Sequence, residues 1–178
     1  LQRYYDETLG VRPAYIPTGV EIPRILSADA IQKQWDLEPN GYLLFVGRLT
    51  PEKGLEYLLR AYVNSNTNKK LVVVGGPSAD ESYARALFEY ESERIIFTGF
   101  QTGRVLGELF SNAFLYVQPS TLEGLSVAVL EALSYGRCVL ASDIPGNREA
   151  LGDCGVTFRT ADIDDLQGKI ERLTAEAD

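Results

Sequence analysis

Short apolar runs alternate with amphipathic stretches along most of the chain, and this alternation restricts the fold more than any other feature. Residues 42–46, 71–74, 95–98, 114–117, 138–142 and 156–158 are apolar at nearly every position and too short for helices. Runs of this kind fit strands buried on both faces of a parallel sheet. The first three are closed by glycine, at Gly47, Gly75 and Gly99. Between the runs the period changes to that of a helix. After the first run, Thr50 is placed to cap a helix, Pro51 stands at its first position, and Leu55, Leu58, Leu59 and Tyr62 recur at i, i+3, i+4 and i+7. Further helices are expected over about residues 80–91, near 102–112, after Ser126, from near Gly146, and over about 162–174. With right-handed crossovers nearly obligatory, the pattern predicts an α/β fold, a Rossmann-like doubly wound parallel sheet of about six strands.

The region before residue 42 reads differently. Residues 1–23 are rich in Tyr and Pro and are expected to be a loop-like connecting segment. Within Tyr15-Ile16-Pro17-Thr18-Gly19-Val20-Glu21, Pro17 forces an extended approach and Gly19 permits a left-handed turn. The domain proper is expected over residues 24–178. It opens with a short amphipathic helix and a Pro-Asn-Gly turn at 39–41.

Composition excludes several functions. The 178 residues suffice for one well-cored domain. A formal charge of −8 argues against a nucleic-acid surface, which needs a basic face. The chain has no histidine, which removes His-based triads and His metal sites. Cys138, expected in a core strand, and Cys154, in a loop, read as free thiols of a reducing compartment. No run of 18 apolar residues and no basic-then-apolar leader occurs, so a soluble, cytoplasmic domain is expected. The absence of methionine suits an excised piece of a longer polypeptide.

In doubly wound sheets, ligands bind beyond the carboxyl ends of the strands, where the strand order reverses. Arg48 follows the first run, and Lys53 falls in the first turn of the helix expected after Thr50. A lysine there opposes the helix dipole by roughly a few tenths of a kcal/mol. Two cations at that end make better sense around an anion, and phosphate is the natural one. The plain structural alternative is that Lys53 reaches water and Arg48 pairs with a core carboxylate. The stretch 119–136 supplies a second helix start, where Gly124 lets backbone approach a ligand and Ser126 precedes the first free N–H groups. A diphosphate could bridge the two helix ends. Glu123 lies on the turn, and Glu131 lies inside a helix whose Val127, Val129, Leu130 and Leu133 cover most of its circumference. A carboxylate in that position is costly unless it meets donors. It either helps to hold a polyhydroxyl ligand or is a structural acid bonded to a neighbouring loop. Gly75, Gly76 and Gly99, followed by Phe100, would leave a flat ring room against backbone. Neither G-x-G-x-x-G after the first run nor a P-loop motif occurs.

Taken together, the stretch from Phe45 through Arg48, Lys53 and Gly54, the Val74-Gly75-Gly76-Pro77 turn, Thr98-Gly99-Phe100, and the E-x7-E spacing of Glu123 and Glu131 resemble a known family. They are similar, in register from Ile16 to Gly155, to the carboxyl-terminal domain of group 1 (family 4) retaining glycosyltransferases of GT-B fold. The resemblance implies a hexosyltransferase whose donor is a UDP- or GDP-linked sugar, with no metal and no cofactor. Arg48, Lys53 and Glu123 would then form the catalytic set. Arg48 and Lys53 would hold the diphosphate, and Glu123 would meet sugar hydroxyls beside the backbone of Gly124, Leu125 and Ser126. Glu131 would accept from the ribose, and Gly47, Gly75, Gly76, Gly99 and Phe100 would complete the donor site. The resemblance further implies an amino-terminal acceptor domain as partner, carrying any membrane contact, so that this piece alone would do little chemistry. Thr18 and Glu21 stand where the family more often has Asn and Asp, and Gly124-Leu125-Ser126 where Gly-Phe-Gly is commoner. A nucleotide-sugar epimerase on the same architecture would lean on histidine, and a CheY-like regulatory module would want acids where Arg48 and Lys53 stand.

Overall fold

In the computed structural model, which describes residues 2–14, 16, 18–77 and 81–175, each apolar run forms a strand. These are β1 (Tyr42–Val46), β2 (Lys70–Val74), β3 (Ile95–Gly99), β4 (Leu115–Gln118), β5 (Cys138–Ser142) and β6 (Val156–Phe158). The strands pair in parallel in the order β3-β2-β1-β4-β5-β6. The order reverses between β1 and β4.

The helices are α1 (Gln2–Leu9), α2 (Ala30–Trp35), α3 (Leu55–Asn64), α4 (Glu81–Phe88), α5 (Gly103–Asn112), α6 (Val127–Ser134), α7 (Pro145–Leu151) and α8 (Ile163–Ala175). Strand alternation sorts α2 to α8 onto two faces. Leu43, Phe45, Leu71, Val73, Leu115 and Val117 pack with Leu55, Leu58, Leu59 and Tyr62 of α3, Ala84 and Leu87 of α4, and Leu166 and Ile170 of α8. Tyr42, Leu44, Val72, Val74, Tyr116 and Val139 pack with Ile31 of α2, Leu109 and Phe110 of α5, Val129 and Ala132 of α6, and Leu151 of α7. Each fully buried large side chain stabilises the fold by roughly 1.5–3 kcal/mol.

Two expectations change. Residues 2–9 are helical rather than loop-like. No Gly or Pro interrupts this stretch before Gly10, whose positive φ of 62° lets its N–H reach the Asp6 carbonyl while the Val11 N–H reaches that of Tyr5. Tyr15 and Pro17 of the expected connecting turn, residue 80 of the helix expected over about 80–91 and residues 176–178 lie outside the described residues. Cys138 is not a core residue: it is the first residue of β5 and is exposed, burial beginning at Val139.

The start of α2 is fixed from a distance. Asp29, its cap residue, makes no side-chain bond to the helix. Instead Glu108, buried on α5, accepts from the N–H groups of Ala30 at 2.7 Å and Ile31 at 3.3 Å, and Arg104 Nε donates to its other oxygen at 2.9 Å. Burial opposes its charge, but the Arg104 guanidinium and the two helix N–H groups outweigh burial and hold the carboxyl below its ordinary pKa.

At the carboxyl ends of β1 and β2 two backbones nearly touch. A Cβ on Gly75 would lie 1.8 Å from the Gly47 carbonyl oxygen, and its φ is +146°. Gly76 has nothing within 4 Å of such an atom. Gly75→Ala is therefore expected to destabilise the domain by about 3 kcal/mol, lowering the unfolding midpoint by about 6–12 °C. Gly76→Ala is expected to shift it by no more than about 2 °C. Thermal unfolding followed by circular dichroism checks both.

Candidate active site

β1 and β4 are in register only at Leu43–Leu115 and Leu44–Tyr116, so ladder pairing stops short of their carboxyl ends. A cleft of about 340 Å³ opens there, lined by Gly47, Arg48, Lys53, Gln118, Glu123, Leu125, Ser126 and Glu131, with Val46, Val127 and Ala128.

The arm that carries Lys53 is not the start of a long helix. Pro51–Lys53 form a single 3-10 turn, Gly54 interrupts it in the left-handed region at φ 64°, and α3 starts at Leu55. The break is dictated by a close approach, since a Cβ on Gly54 would sit 2.3 Å from the Pro119 carbonyl oxygen. Thr50 precedes the turn but does not cap it with its side chain; its hydroxyl donates to Glu52 at 2.7 Å. That bond, together with Glu52's own backbone N–H, lowers the Glu52 pKa, and Arg48 and Lys53 add to the effect. The turn is tied to the opposite wall by the Thr121 N–H, which donates to the Glu52 carbonyl at 2.9 Å.

This docking brings Lys53 Nζ within 2.6 Å of Glu123 Oε1, with the two side chains only 18% and 10% exposed. The same oxygen accepts from Ser120 Oγ at 2.7 Å and Gln118 Nε2 at 3.0 Å. Gln118 Nε2 also donates to Ser120 Oγ at 2.6 Å, and the buried Tyr116 hydroxyl donates to Gln118 Oε1. Behind this group, the Ser142 hydroxyl donates to the Ser120 carbonyl, and Asn147 Nδ2 donates to Ser142 Oγ at 2.9 Å. The loop bearing Glu123 is thus held by hydrogen bonds running from β4 to α7. Tyr116 is kept protonated first by burial and then by the nearby charges of Glu123 and Glu131.

Arg48 is placed differently. Its side chain is 70% exposed, and its nearest carboxylate is Glu52 at 3.8 Å, which is not a core acid. Glu131 lies half-buried on the cleft-facing side of α6, and no donor among the described residues reaches its carboxylate. The neighbouring-loop bond considered for it is not formed. Burial raises its pKa above the ordinary carboxyl value. The apolar cover expected around it is also thinner: Val129 and Ala132 are buried, Leu130 and Leu133 are half-buried, and Val127 is exposed. The charge is tolerated because that side of the helix faces a cleft rather than the core.

The group 1 glycosyl transferase family model matches residues 27–177. The chain belongs to that family. Among relatives of the group 1 domain, a glycosyltransferase of Methanocaldococcus jannaschii described as uncharacterized is 34% identical over 112 residues, covering 61% of this chain and 29% of that protein. A lipopolysaccharide 1,2-N-acetylglucosaminetransferase of Salmonella typhimurium is 30% identical over 175 residues, covering 88% of this chain and 45% of that protein. Among solved structures, Anabaena HepE in complex with UDP superposes with a TM-score of 0.74 at 22% identity, over 83% of this chain and 42% of that one. The chain spans only 29–45% of the length of the curated relatives it matches first.

The structure gathers Gly47, Arg48, Lys53, Glu123, Leu125, Ser126 and Glu131 into the cleft of this group 1 domain. Gly124 is exposed on the same loop, and its carbonyl and that of Glu123 each lie 2.6 Å from where a Cβ on Gly146 would be. Gly75, Gly76 and Gly99 form a backbone seam beside the cleft: the Gly75 N–H donates to Gly99, and the Leu49 N–H to Gly76. Phe100 lies outside the cleft lining and is 79% exposed. The sequence reading passed over Gln118 and Ser120. Their signal was a polar residue closing an otherwise apolar buried strand at the point where the order reverses.

A raised carboxyl pKa means that the folded domain binds the Glu131 proton more tightly than the unfolded chain does. That group's contribution to stability therefore falls as pH rises through the unfolded and then the folded value, and its cost is complete at neutral pH. Glu131→Gln is expected to raise the unfolding midpoint at pH 7, with the gain shrinking as pH falls and gone below about pH 4, where both forms are neutral. Thermal scans across pH 3.5–8 check the sign.

Proposed function

We propose that this domain binds the donor of a hexosyl transfer, a nucleoside-diphosphate sugar, in the cleft between β1 and β4. The observation that carries the reading is the joining, at the strand-order reversal of a group 1 domain, of two cations with a half-buried carboxylate that no donor among the described residues reaches. Arg48 and Lys53 suit a diphosphate. Glu131 suits the vicinal hydroxyls of a ribose, which would supply the donors it lacks. Glu123 lines the same cleft beside Lys53 and suits the hydroxyls of the hexose. The Anabaena protein of the same fold was solved with UDP, which supports a nucleoside diphosphate as the ligand class.

In the transfer we propose, the acceptor oxygen bonds to the anomeric carbon on the face from which the diphosphate departs. The carbon–oxygen bond to the diphosphate breaks, the electron pair leaves with it, and the acceptor proton passes to a diphosphate oxygen. Anomeric configuration is retained. Arg48 and Lys53 stabilise the charge that develops on the leaving group, so the chemistry asks for no resident metal. The acceptor site is assigned to a partner domain of the same polypeptide, since this chain matches less than half the length of its relatives. Among the described residues no helix is long and apolar enough to cross a membrane.

Arg48→Ala and Lys53→Ala are each expected to weaken UDP or GDP binding by about 10–100-fold, the worth of a charged hydrogen bond, while the affinity for the bare nucleoside stays within about twofold. EDTA leaves the wild-type affinity unchanged. Isothermal titration with diphosphate and nucleoside in parallel decides: equal losses for both ligands would place the phosphates elsewhere.

A further inference from the structure

The two cations of the cleft are not equivalent. Arg48 is mostly exposed and stands 3.8 Å from Glu52, so a ligand can recruit it at little cost. Lys53 is mostly buried and already bonded to Glu123 at 2.6 Å. An ion pair so sheltered is weakly screened; the ammonium has other N–H groups to offer a phosphate, but a phosphate that draws Lys53 toward itself weakens its bond to the carboxylate. The carboxylate cannot withdraw far. Gln118 and Ser120 hold its Oε1, and both are themselves buried and fixed by Tyr116 and by the Ser142 bond to the Ser120 carbonyl. Glu123 would then face the incoming phosphate with its strongest donor drawn away, like charge beside like charge.

A ligand that ends at its diphosphate leaves that deficit in place. One that continues into a polyhydroxyl group brings hydroxyl donors to replace Lys53. We propose that the Lys53–Glu123 ion pair discriminates the loaded donor from the spent nucleoside diphosphate, because only a ligand carrying hydroxyls beyond its diphosphate compensates Glu123 for the loss of Lys53. The proposal rests on the nucleotide-sugar reading above. Its consequence is that once the hexose has left, the pair re-forms against the remaining diphosphate and favours its release.

The test is a double-mutant cycle of Glu123→Gln and Lys53→Met, titrated with UDP, UDP-glucose, GDP and GDP-mannose. In Glu123→Gln the amide keeps the shape of the side chain but no longer claims the lysine charge. Diphosphate affinity is expected to rise about tenfold, while hexose-linked affinity stays level or falls, so the preference for the loaded donor drops by about tenfold or more. With Lys53→Met in place, Glu123→Gln is expected to raise diphosphate affinity by several-fold less than it does beside Lys53, because only the repulsion between carboxylate and phosphate is left to relieve, and that difference isolates the ion pair. If Glu123→Gln weakens diphosphate binding, or changes both ligands of a pair by one factor, the discrimination is overturned while the donor-site reading stands. If the wild-type protein binds none of the four ligands, the nucleotide-sugar reading falls and takes this inference with it.

Discussion

The reversal of strand order at β1 is the constraint from which the rest of the molecule follows. β1 is central, paired over its whole length to β2 but at only two positions to β4. After β1 the chain turns onto one face of the sheet to form α3; after β4 it turns onto the other to form α6. Two connections leaving in opposite directions cannot close over the strand ends between them, so a crevice is a product of topology. What fills it is decided by short segments: the 3-10 turn with Lys53, the loop with Glu123, and the second turn of α6 with Glu131. The glycines at 54, 75 and 146 let those segments approach backbone to backbone.

Most of the fold was legible because its elements obey local rules. Consecutive apolar residues such as Leu71 to Val74 can only be satisfied between two layers, and the α3 stripe at Leu55, Leu58, Leu59 and Tyr62 buries as its spacing demands. The misreadings arose where a distant contact overrode local preference. Thr50-Pro51 looks like the start of a helix, yet the Pro119 carbonyl pressing on Gly54 splits that helix in two. Val127 reads as core by type but faces the open cleft. Of the site, the cations and the two glutamates stood out as charges in unfavourable surroundings. Nothing in the sequence could show that Lys53 and Glu123, 70 positions apart, are bonded to each other. Gln118 and Ser120 were missed because one polar residue at a strand end has many bland explanations.

A chain with a formal charge of −8 nonetheless places two cations, Arg48 and Lys53, in one cleft. Its cations are held against carboxylates rather than left bare: Arg48 loosely on Glu52, Lys53 tightly on Glu123. The buried lysine is thereby kept from standing as an uncompensated charge, while the arginine side chain stays exposed. Glu131 carries the opposite burden, a half-buried charge without a donor among the described residues, and its raised pKa expresses that cost.

The cap on α2 bears on the order in which the domain assembles. A six-residue helix is too short to persist by itself, and the carboxylate that satisfies its first N–H groups belongs to a residue 78 positions downstream of Ala30. α2 must therefore wait until α5 has formed and settled on the sheet. A segment made before the whole sheet is then among the last parts of the domain to reach its native shape, and it stays open to other partners until the chain through Glu108 has been made.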